Sequence, residues 1–322
     1  MRVAAQLGIP LLTFDFEKTY REKIVSELFR GYAAGETPNP DVLCNEVIKF
    51  GLFADEAWRL GFDFVATGHY AQVKKRKKST GYGVQVTDLT TVTRNPSPVT
   101  LRRGVDPDKD QSYFLYRGPQ DVLRRTMFPI GYLTKKQVRA LARKFRLPVA
   151  EKPDSQGICF VGKLDMGEFL RKKIPSAPGE IVDERGIVIG VHDGLDQYTI
   201  GQRHGIGLAK GGEPWFVARK NTKLNQLTVV QGADHPLLYS RDAIVGDLHW
   251  TRGVPPTFPL RVSVQVRYRQ PPVRATVESA SANAVRIRFS KPVKAVAPGQ
   301  SAVAYNGKEC LGGGVLASST HG

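Results

Sequence analysis

Between residues 260 and 269 apolar and polar side chains alternate without a break. Leu260, Val262, Val264, Val266 and Tyr268 fall on one face, and Arg261, Ser263, Gln265, Arg267 and Arg269 on the other. A period of two is that of a half-buried β-strand. Similar short segments follow near residues 273–279, 284–289, 300–305 and 309–316, and from about residue 243 nothing carries helical spacing. Many short strands between turn signals predict a small antiparallel β-barrel.

The first half has a different period. Over residues 17–34, Ile24, Leu28 and Tyr32 share one helical face, and Gly35 closes the segment. Thr37-Pro38-Asn39-Pro40-Asp41 predicts a loop, because each proline disfavours helix at the residue before it. A second helix is predicted over residues 42–60, with Leu43, Val47, Phe50, Ala54 and Ala57 inward. Short apolar runs at residues 11–16 and 62–67 read as strands, the second ending in Gly68-His69-Tyr70. Strands alternating with helices imply a parallel sheet. Residues 110–117 and 119–127 read as short helices. Thr134 caps a clearer one, with Val138, Leu141, Ala142 and Phe145 inward. Residues 164–173 predict a short amphipathic helix, and residues 179–191 a hairpin turned at 183–186.

The expected organisation is an α/β domain over residues 1–163, a small central domain over 164–240 and a C-terminal antiparallel β-barrel over 241–322. A basic insertion at about residues 74–98 interrupts the first domain. It opens on five consecutive basic side chains, Lys74 to Lys78, and reads as a surface excursion.

Composition narrows the function classes. The 322 residues are 41% hydrophobic and 24% charged, the balance of a folded chain. No apolar run is long enough to read as a membrane span, and the start carries no charged-then-apolar leader. Cys44, Cys159 and Cys310 are far apart, which argues against a disulfide scaffold and a CxxC zinc site, so a reducing compartment is expected.

Charge changes the picture more. Lys and Arg number 47 against 30 Asp and Glu, a formal net charge of +17. Residues 1–70 carry 7 basic and 10 acidic side chains, residues 71–163 carry 20 and 7, residues 164–240 carry 9 and 9, and residues 241–322 carry 11 and 4. The surplus lies in two blocks separated by a neutral one. A uniformly basic surface would not be divided this way, and the pattern points to a polyanionic partner such as nucleic acid.

Two cysteines are candidates for chemistry. Cys44 falls in the first turn of a predicted helix, where unpaired N–H groups and the dipole favour a thiolate, and Asp41 lies three residues earlier as a cap or proton acceptor. A buried core cysteine is an equal reading. Cys159 lies in Asp154-Ser155-Gln156-Gly157-Ile158-Cys159-Phe160, where apolar neighbours suit a structural thiol and Asp154 and Ser155 suit a substrate loop. Cys310, among strand residues before Gly312-Gly313-Gly314, is better explained by packing. Gly68 sits where sheet ligands sit, beyond the carboxyl end of a strand. Residues 201–207 hold several glycines but neither GxGxxG nor P-loop spacing. Nothing suggests a zinc cluster, a Ser/His/Asp elbow or a carboxylate pair.

Taken together, several segments resemble the tRNA-specific 2-thiouridylases, the MnmA/TrmU family. They are residues 37–45, with Ile48-Lys49-Phe50; Ala66-Thr67-Gly68-His69-Tyr70-Ala71; Lys109-Asp110-Gln111-Ser112; residues 154–160; Tyr198-Thr199-Ile200-Gly201-Gln202-Arg203; Val266-Arg267-Tyr268-Arg269; Pro298-Gly299-Gln300; and Cys310-Leu311-Gly312-Gly313-Gly314. They keep the family's order from about residue 7 to 316. The resemblance implies an adenine-nucleotide α-hydrolase-like parallel sheet, and replacement of the C2 oxygen of the wobble uridine by sulfur. ATP with Mg²⁺ is the implied co-substrate, and a cysteine persulfide the sulfur carrier. By carry-over Cys159 holds the persulfide, Cys44 resolves it as a disulfide, and Asp41 assists proton transfer. Asn39, Pro40 and Asp41 face the base, and Gly68 touches the nucleotide. His69, Lys109, Asp110, Gln111, Arg267, Tyr268 and Gln300 contact tRNA.

One family feature does not occur in this sequence: the Ser-Gly-Gly-x-Asp-Ser-Ser loop that wraps ATP phosphates at a helix start. The resemblance begins at residues 3–10, and the expectation is an incomplete parallel sheet and a chain that, as given, does not adenylate a base. The alternative is a non-catalytic tRNA-binding relative or degenerate copy. A further alternative has Cys44, Cys159 and Asp41 ligating an iron–sulfur cluster. The implied partners are tRNA and a sulfur donor such as a cysteine desulfurase or sulfur-relay protein. The implied compartment is the cytoplasm, with the mitochondrial matrix as alternative.

Overall fold

The computed structural model describes residues 2–75, 98–153, 166–171, 173–208 and 211–321. Three layers of structure follow one another along the chain: helices with a short parallel pair, a four-stranded sheet, and a closed barrel.

The first long helix runs through Glu17–Thr19, Tyr20–Val25 and Ser26–Ala33, its middle turn with π-type hydrogen bonding. Ile24 and Leu28 are buried as the spacing predicts. Gly35 ends it at φ 79°, a left-handed backbone that glycine adopts without steric cost. The second helix begins earlier than expected. Asn39 stays extended and its side chain accepts from the Val42 amide at 3.4 Å, while Pro40 takes the first helical position, where its missing N–H costs nothing. The helix continues through Asn45–Leu52, also π-type and kinked at Gly51, into Phe53–Arg59. Extra residues per turn rotate the inward face. Phe50, Ala54 and Ala57 are buried as the spacing predicts, joined by Val42, Cys44 and Ile48, whereas Leu43 and Val47 are only partly covered.

The expected strand at residues 62–67 shortens to Val65–Ala66, paired in parallel with Thr126–Met127. The expected strand at residues 11–16 is not formed. That segment lies in no sheet, with Leu11 and Leu12 more than half exposed. Apolar composition makes a strand only where a neighbouring ladder takes its amides. Residues 110–117 form a single 3₁₀ turn, Ser112–Phe114. Thr134 and Gln137 make a capping box for Lys135–Lys144, yet the expected inward residues Leu141 and Phe145 stand exposed.

In the central part, Gly179–Val182 and Val188–His192 form the expected hairpin. Its first strand runs parallel to Gln226–Gln231, which also pairs with Trp215–Asn221.

The barrel consists of Tyr239–Trp250, Leu260–Gln265, Val273–Ser281, Ala284–Lys294, Ser301–Asn306 and Glu309–His321. Ser301–Asn306 closes it by pairing with both Leu260–Gln265 and Glu309–His321. Val262, Val264, Val277, Val285, Ile287 and Phe289 fill it. The glycine run belongs to this closure. A Cβ on Gly313 would lie 2.3 Å from the Ala302 carbonyl oxygen, and one on Gly314 2.3 Å from that of Gly246. Only glycine lets these strands approach so closely.

The hairpin of Ala71–Lys75 and Val99–Arg103 joins the barrel edge where Arg102 pairs with Glu309. One core runs across this junction. Phe50, Tyr113, Leu115 and Leu123 from the first part pack with Val303, Tyr305 and Cys310 of the barrel.

Candidate active site at the proline-rich loop

Residues 37–41 lie where the three parts meet. The Thr37 amide donates to the Pro298 carbonyl at 2.8 Å, and the Gln300 side-chain amide donates to the Thr37 carbonyl at 2.8 Å. A Cβ on Gly299, itself at φ 87°, would sit 2.8 Å from the Thr37 nitrogen, so glycine is needed for this approach. From the central part, the Thr199 hydroxyl is 3.3 Å from that of Thr37. Prolines stiffen the loop and these contacts fix it, a suitable frame for holding a base and a thiol in set relation.

Asp41 and Cys44 follow one helical turn apart. Cys44 is fully buried among Tyr20, Ile24, Leu28 and Ile48. Asn45 beside it donates to the Phe114 carbonyl at 3.2 Å. Cys159 and the residues around it, 154–165, lie outside the described residues, as do residues 76–97 of the basic excursion. Among the described residues no cluster of His, Cys, Asp and Glu could hold a metal ion, and Cys159, needed for the iron–sulfur alternative, is not among them.

Several of the expected tRNA-facing residues gather around Tyr113 and Phe114. Asn39 bonds the Tyr113 hydroxyl, and Arg267 lies near enough to favour that phenolate, although burial dominates and raises its pKa. The Tyr268 ring lies tilted against Phe114, with centroids 4.4 Å apart, and 6.2 Å from Tyr113. Lys109 lies close enough to Tyr268 to lower its pKa, against a larger rise from burial. Loop 37–41, Lys109, Arg267, Tyr268 and Gln300 therefore form one neighbourhood although they are distant in sequence.

Three others sit deeper. Asp110 is buried. It accepts from the Gly104 amide at 3.0 Å, the Ser112 amide at 3.1 Å and the Ser112 hydroxyl at 3.0 Å, and lies 3.5 Å from Arg103. Gln111 exchanges two 2.9 Å bonds with the Tyr70 backbone. His69 is buried between Phe50 and Phe128, each 6.1 Å away, with Nδ1 2.8 Å from the Thr67 hydroxyl.

Burial, aided by Lys49, lowers the His69 pKa to about 3. The imidazole is thus neutral at neutral pH. Because the folded pKa lies below the unfolded value of 6.5, its contribution to stability is complete above pH 6.5 and is lost as pH falls toward 3. Each pH unit in that window costs roughly 1.4 kcal/mol. Urea unfolding at pH 7.0 and pH 4.5 should differ by about 2.5 kcal/mol more in the wild type than in His69→Gln.

Gly68 follows the Val65–Ala66 strand, and a Cβ there would meet nothing within 4 Å. This open position suits contact with a nucleotide. Among the described residues no glycine-rich turn opens a helix to cradle phosphates, and Gly68 by itself does not hold a triphosphate.

Sequence reasoning missed Arg117. Its Nε donates to Glu46 Oε2 at 2.6 Å and its Nη1 to Asp247 Oδ2 at 2.7 Å, tying the Cys44 helix to the barrel. Desolvation opposes the charge, but the two carboxylates outweigh it and raise the pKa. It also missed the buried hydroxyls of Tyr113 and Tyr116, which bond Ser301. The run Ser112-Tyr113-Phe114-Leu115-Tyr116 carried that signal as dense aromatics in a segment too short for its own core.

Comparison with known proteins agrees with this architecture. Residues 1–163 match a family model described as the tRNA methyl transferase HUP domain, residues 167–231 its PRC-barrel domain, and residues 240–316 an aminomethyltransferase beta-barrel domain. The chain is 46% identical over 326 residues to the tRNA-specific 2-thiouridylase MnmA of Verminephrobacter eiseniae, covering 98% of this chain and 83% of that one. It is 43% identical over 321 residues to that of Methylobacillus flagellatus, covering 98% and 84%, and 44% identical over 316 residues to that of Listeria monocytogenes, covering 98% and 80%. With identity at this level along nearly its whole length, and with the nucleotide-domain, central and barrel models matched in order, the chain belongs to the tRNA-specific 2-thiouridylase family.

Proposed function

We propose that this protein is a tRNA-uridine 2-sulfurtransferase: it replaces the C2 oxygen of the wobble uridine with sulfur in an ATP-dependent reaction. The observation that carries the reading is the fixed proline-rich loop. Held by Pro298 and Gln300 on one side and Thr199 on the other, it leads within one helical turn to Cys44. A wobble base lies in a single-stranded loop, where it can be splayed out and read on its edges. Asn39, Pro40 and Asp41 receive it, and Lys109, Arg267, Tyr268 and Gln300 line the approach.

The sulfur enters as a persulfide on Cys159, loaded by a donor protein of the cysteine desulfurase or sulfur-relay type. Its terminal sulfur bonds to C2 as the activated C2–O bond breaks, and Asp41 takes the proton released. The Cys44 thiolate then attacks Cys159 Sγ. The S–S bond to the transferred sulfur breaks, C2 keeps that sulfur as a thiocarbonyl, and the two cysteines are left as a disulfide. A dithiol reductant restores them. ATP supplies the activation of the oxygen.

The test is nucleoside analysis of tRNA from cells whose own 2-thiouridylase gene is deleted and which express this chain joined to the Ser-Gly-Gly-x-Asp-Ser-Ser segment of a family member, because that loop does not occur in this sequence. The expected result is restored 2-thiouridine at the wobble position. Binding of tRNA without any restored 2-thiouridine would instead favour a non-catalytic tRNA-binding relative.

A further inference from the structure

On one outer face of the barrel, Arg261 and Arg274 stand opposite hydroxyls, and a third arginine, Arg288, stands between a hydroxyl on one neighbouring strand and Asp242 on the other. In Leu260–Gln265, Arg261 and Ser263 point outward while Val262 and Val264 fill the core. In Val273–Ser281 the outward residues include Arg274 and Thr276, with Glu278 next along the same face, and in Ala284–Lys294 they include Arg288 and Ser290. Strand register sets Arg261 opposite Thr276, Thr276 opposite Arg288, and Ser263 opposite Arg274. Diagonal neighbours on a sheet lie roughly 7–8 Å apart, which places Arg274 diagonal to both Arg261 and Arg288, and all three line one groove.

Together the three arginines, Ser263, Thr276 and Ser290 line a groove of about 530 Å³, bounded at one end by Tyr305, Asn306 and Gly307, with no carboxylate in its lining. Arg288 has acidic company at the margin, 3.4 Å from Glu278 and 3.9 Å from Asp242. Among the described residues Arg261 and Arg274 form no ion pair. Like charges held this close without neutralisation destabilise a surface unless an anion joins them. Guanidinium forks flanked by hydroxyl donors match phosphate oxygens.

The groove is distinct from the loop site. Arg261 stands near the start of Leu260–Gln265 and Arg267 lies past its end, so the four-residue rise from Arg261 to Gln265, roughly 13 Å of strand, lies between the groove and the turn that carries Arg267. Asn306 lies at the far end of Ser301–Asn306 from Gln300. An RNA arm whose target base is held at residues 37–41 extends well beyond it, and a second cationic contact at this distance fixes the arm's direction.

We propose that the groove of Arg261, Arg274 and Arg288 binds the phosphodiester backbone of a helical arm of the tRNA, away from the base being modified. This rests on the functional reading above. It adds a contact that reads charge and shape, not sequence.

The test compares wild type, Arg261→Gln/Arg274→Gln and Arg261→Lys/Arg274→Lys in binding unmodified tRNA between 50 and 200 mM salt, with thermal melts to confirm folding. All the changes are at exposed positions. Each lost phosphate contact lowers the slope of log K against log salt by about 0.9. The Gln pair should lower it by about 2 and weaken binding roughly tenfold, to a similar extent for different tRNAs. The Lys pair should keep most of the slope. An unchanged slope and affinity in the Gln pair overturns the groove. So does a groove that binds inorganic phosphate, lost in the Gln pair, while tRNA affinity stays as in the wild type. A wild type that does not bind tRNA at all overturns the functional reading instead, and is distinguishable from either result.

Discussion

Replacing Cys159 with Ala should abolish 2-thiouridine formation while leaving tRNA binding intact, and replacing Cys44 with Ala should stop the reaction one step later. The two outcomes separate because the proposed mechanism gives the cysteines different tasks. Without Cys159 there is no persulfide, and no other thiol can take its place. Cys310 is the one remaining cysteine beside Cys44, and it is fully buried in the barrel core, where desolvation pushes its thiol well above the ordinary range. Cys44 sits in a different cluster, and in the proposed mechanism it acts on the S–S bond only after the sulfur has reached C2. Cys44→Ala should therefore accumulate a covalent protein–tRNA adduct through Cys159, released by added thiol. Denaturing gel shift of labelled tRNA, with and without dithiothreitol, reads the adduct, and nucleoside mass spectrometry reads the product. Full thiolation by Cys159→Ala would end the persulfide assignment. A Cys44→Ala protein that thiolates at the wild-type rate would remove the disulfide step.

That experiment leans on residues the sequence already marked, and the reason lies in the kind of signal each left. The barrel was legible because a strand with one wet face must alternate, and Leu260–Gln265 does so residue by residue. The Pro38 and Pro40 loop was legible because proline restricts its neighbours whatever surrounds them. The separate roles of the two cysteines, the base-facing role of loop 37–41, and Arg267, Tyr268 and Gln300 as site residues were legible only as a family resemblance. Nothing in their spacing says that Gln300 reaches the Thr37 carbonyl across 263 positions. The segment at residues 11–16 departs from its apolar pattern because no neighbouring ladder pairs it. The inward face of the second helix is legible at Phe50, Ala54 and Ala57 but not at Leu43 and Val47, because a 3.6-residue period does not hold through the π-type turns of Asn45–Leu52. Arg117 left no signal, since an ion pair joining residues 46, 117 and 247 has no sequence period.

Asp110→Ala should lower the unfolding free energy by about 3 kcal/mol, a larger effect than a surface contact with RNA would explain. Family resemblance places Asp110 on tRNA, but its carboxylate is turned inward and holds together a junction. Removing it leaves the Gly104 and Ser112 amides, both buried, without acceptors. It also takes the nearby carboxylate from Arg103, whose guanidinium lies 3.7 Å over the Tyr305 ring. The Ser112 hydroxyl, released from Asp110, keeps only the Tyr305 hydroxyl at 3.2 Å. Each of these bonds crosses or braces the boundary between the 103–112 segment and the barrel. Their loss should also loosen the neighbouring Lys109 and Tyr268. Urea unfolding measures the stability, and tRNA binding at several salt concentrations measures the contact. If Asp110 is structural, stability falls and the salt slope is unchanged, because a buried carboxylate releases no counterion from phosphate. If stability is unchanged and affinity alone drops, the carboxylate meets the RNA directly, and the buried network does not govern the fold at this junction.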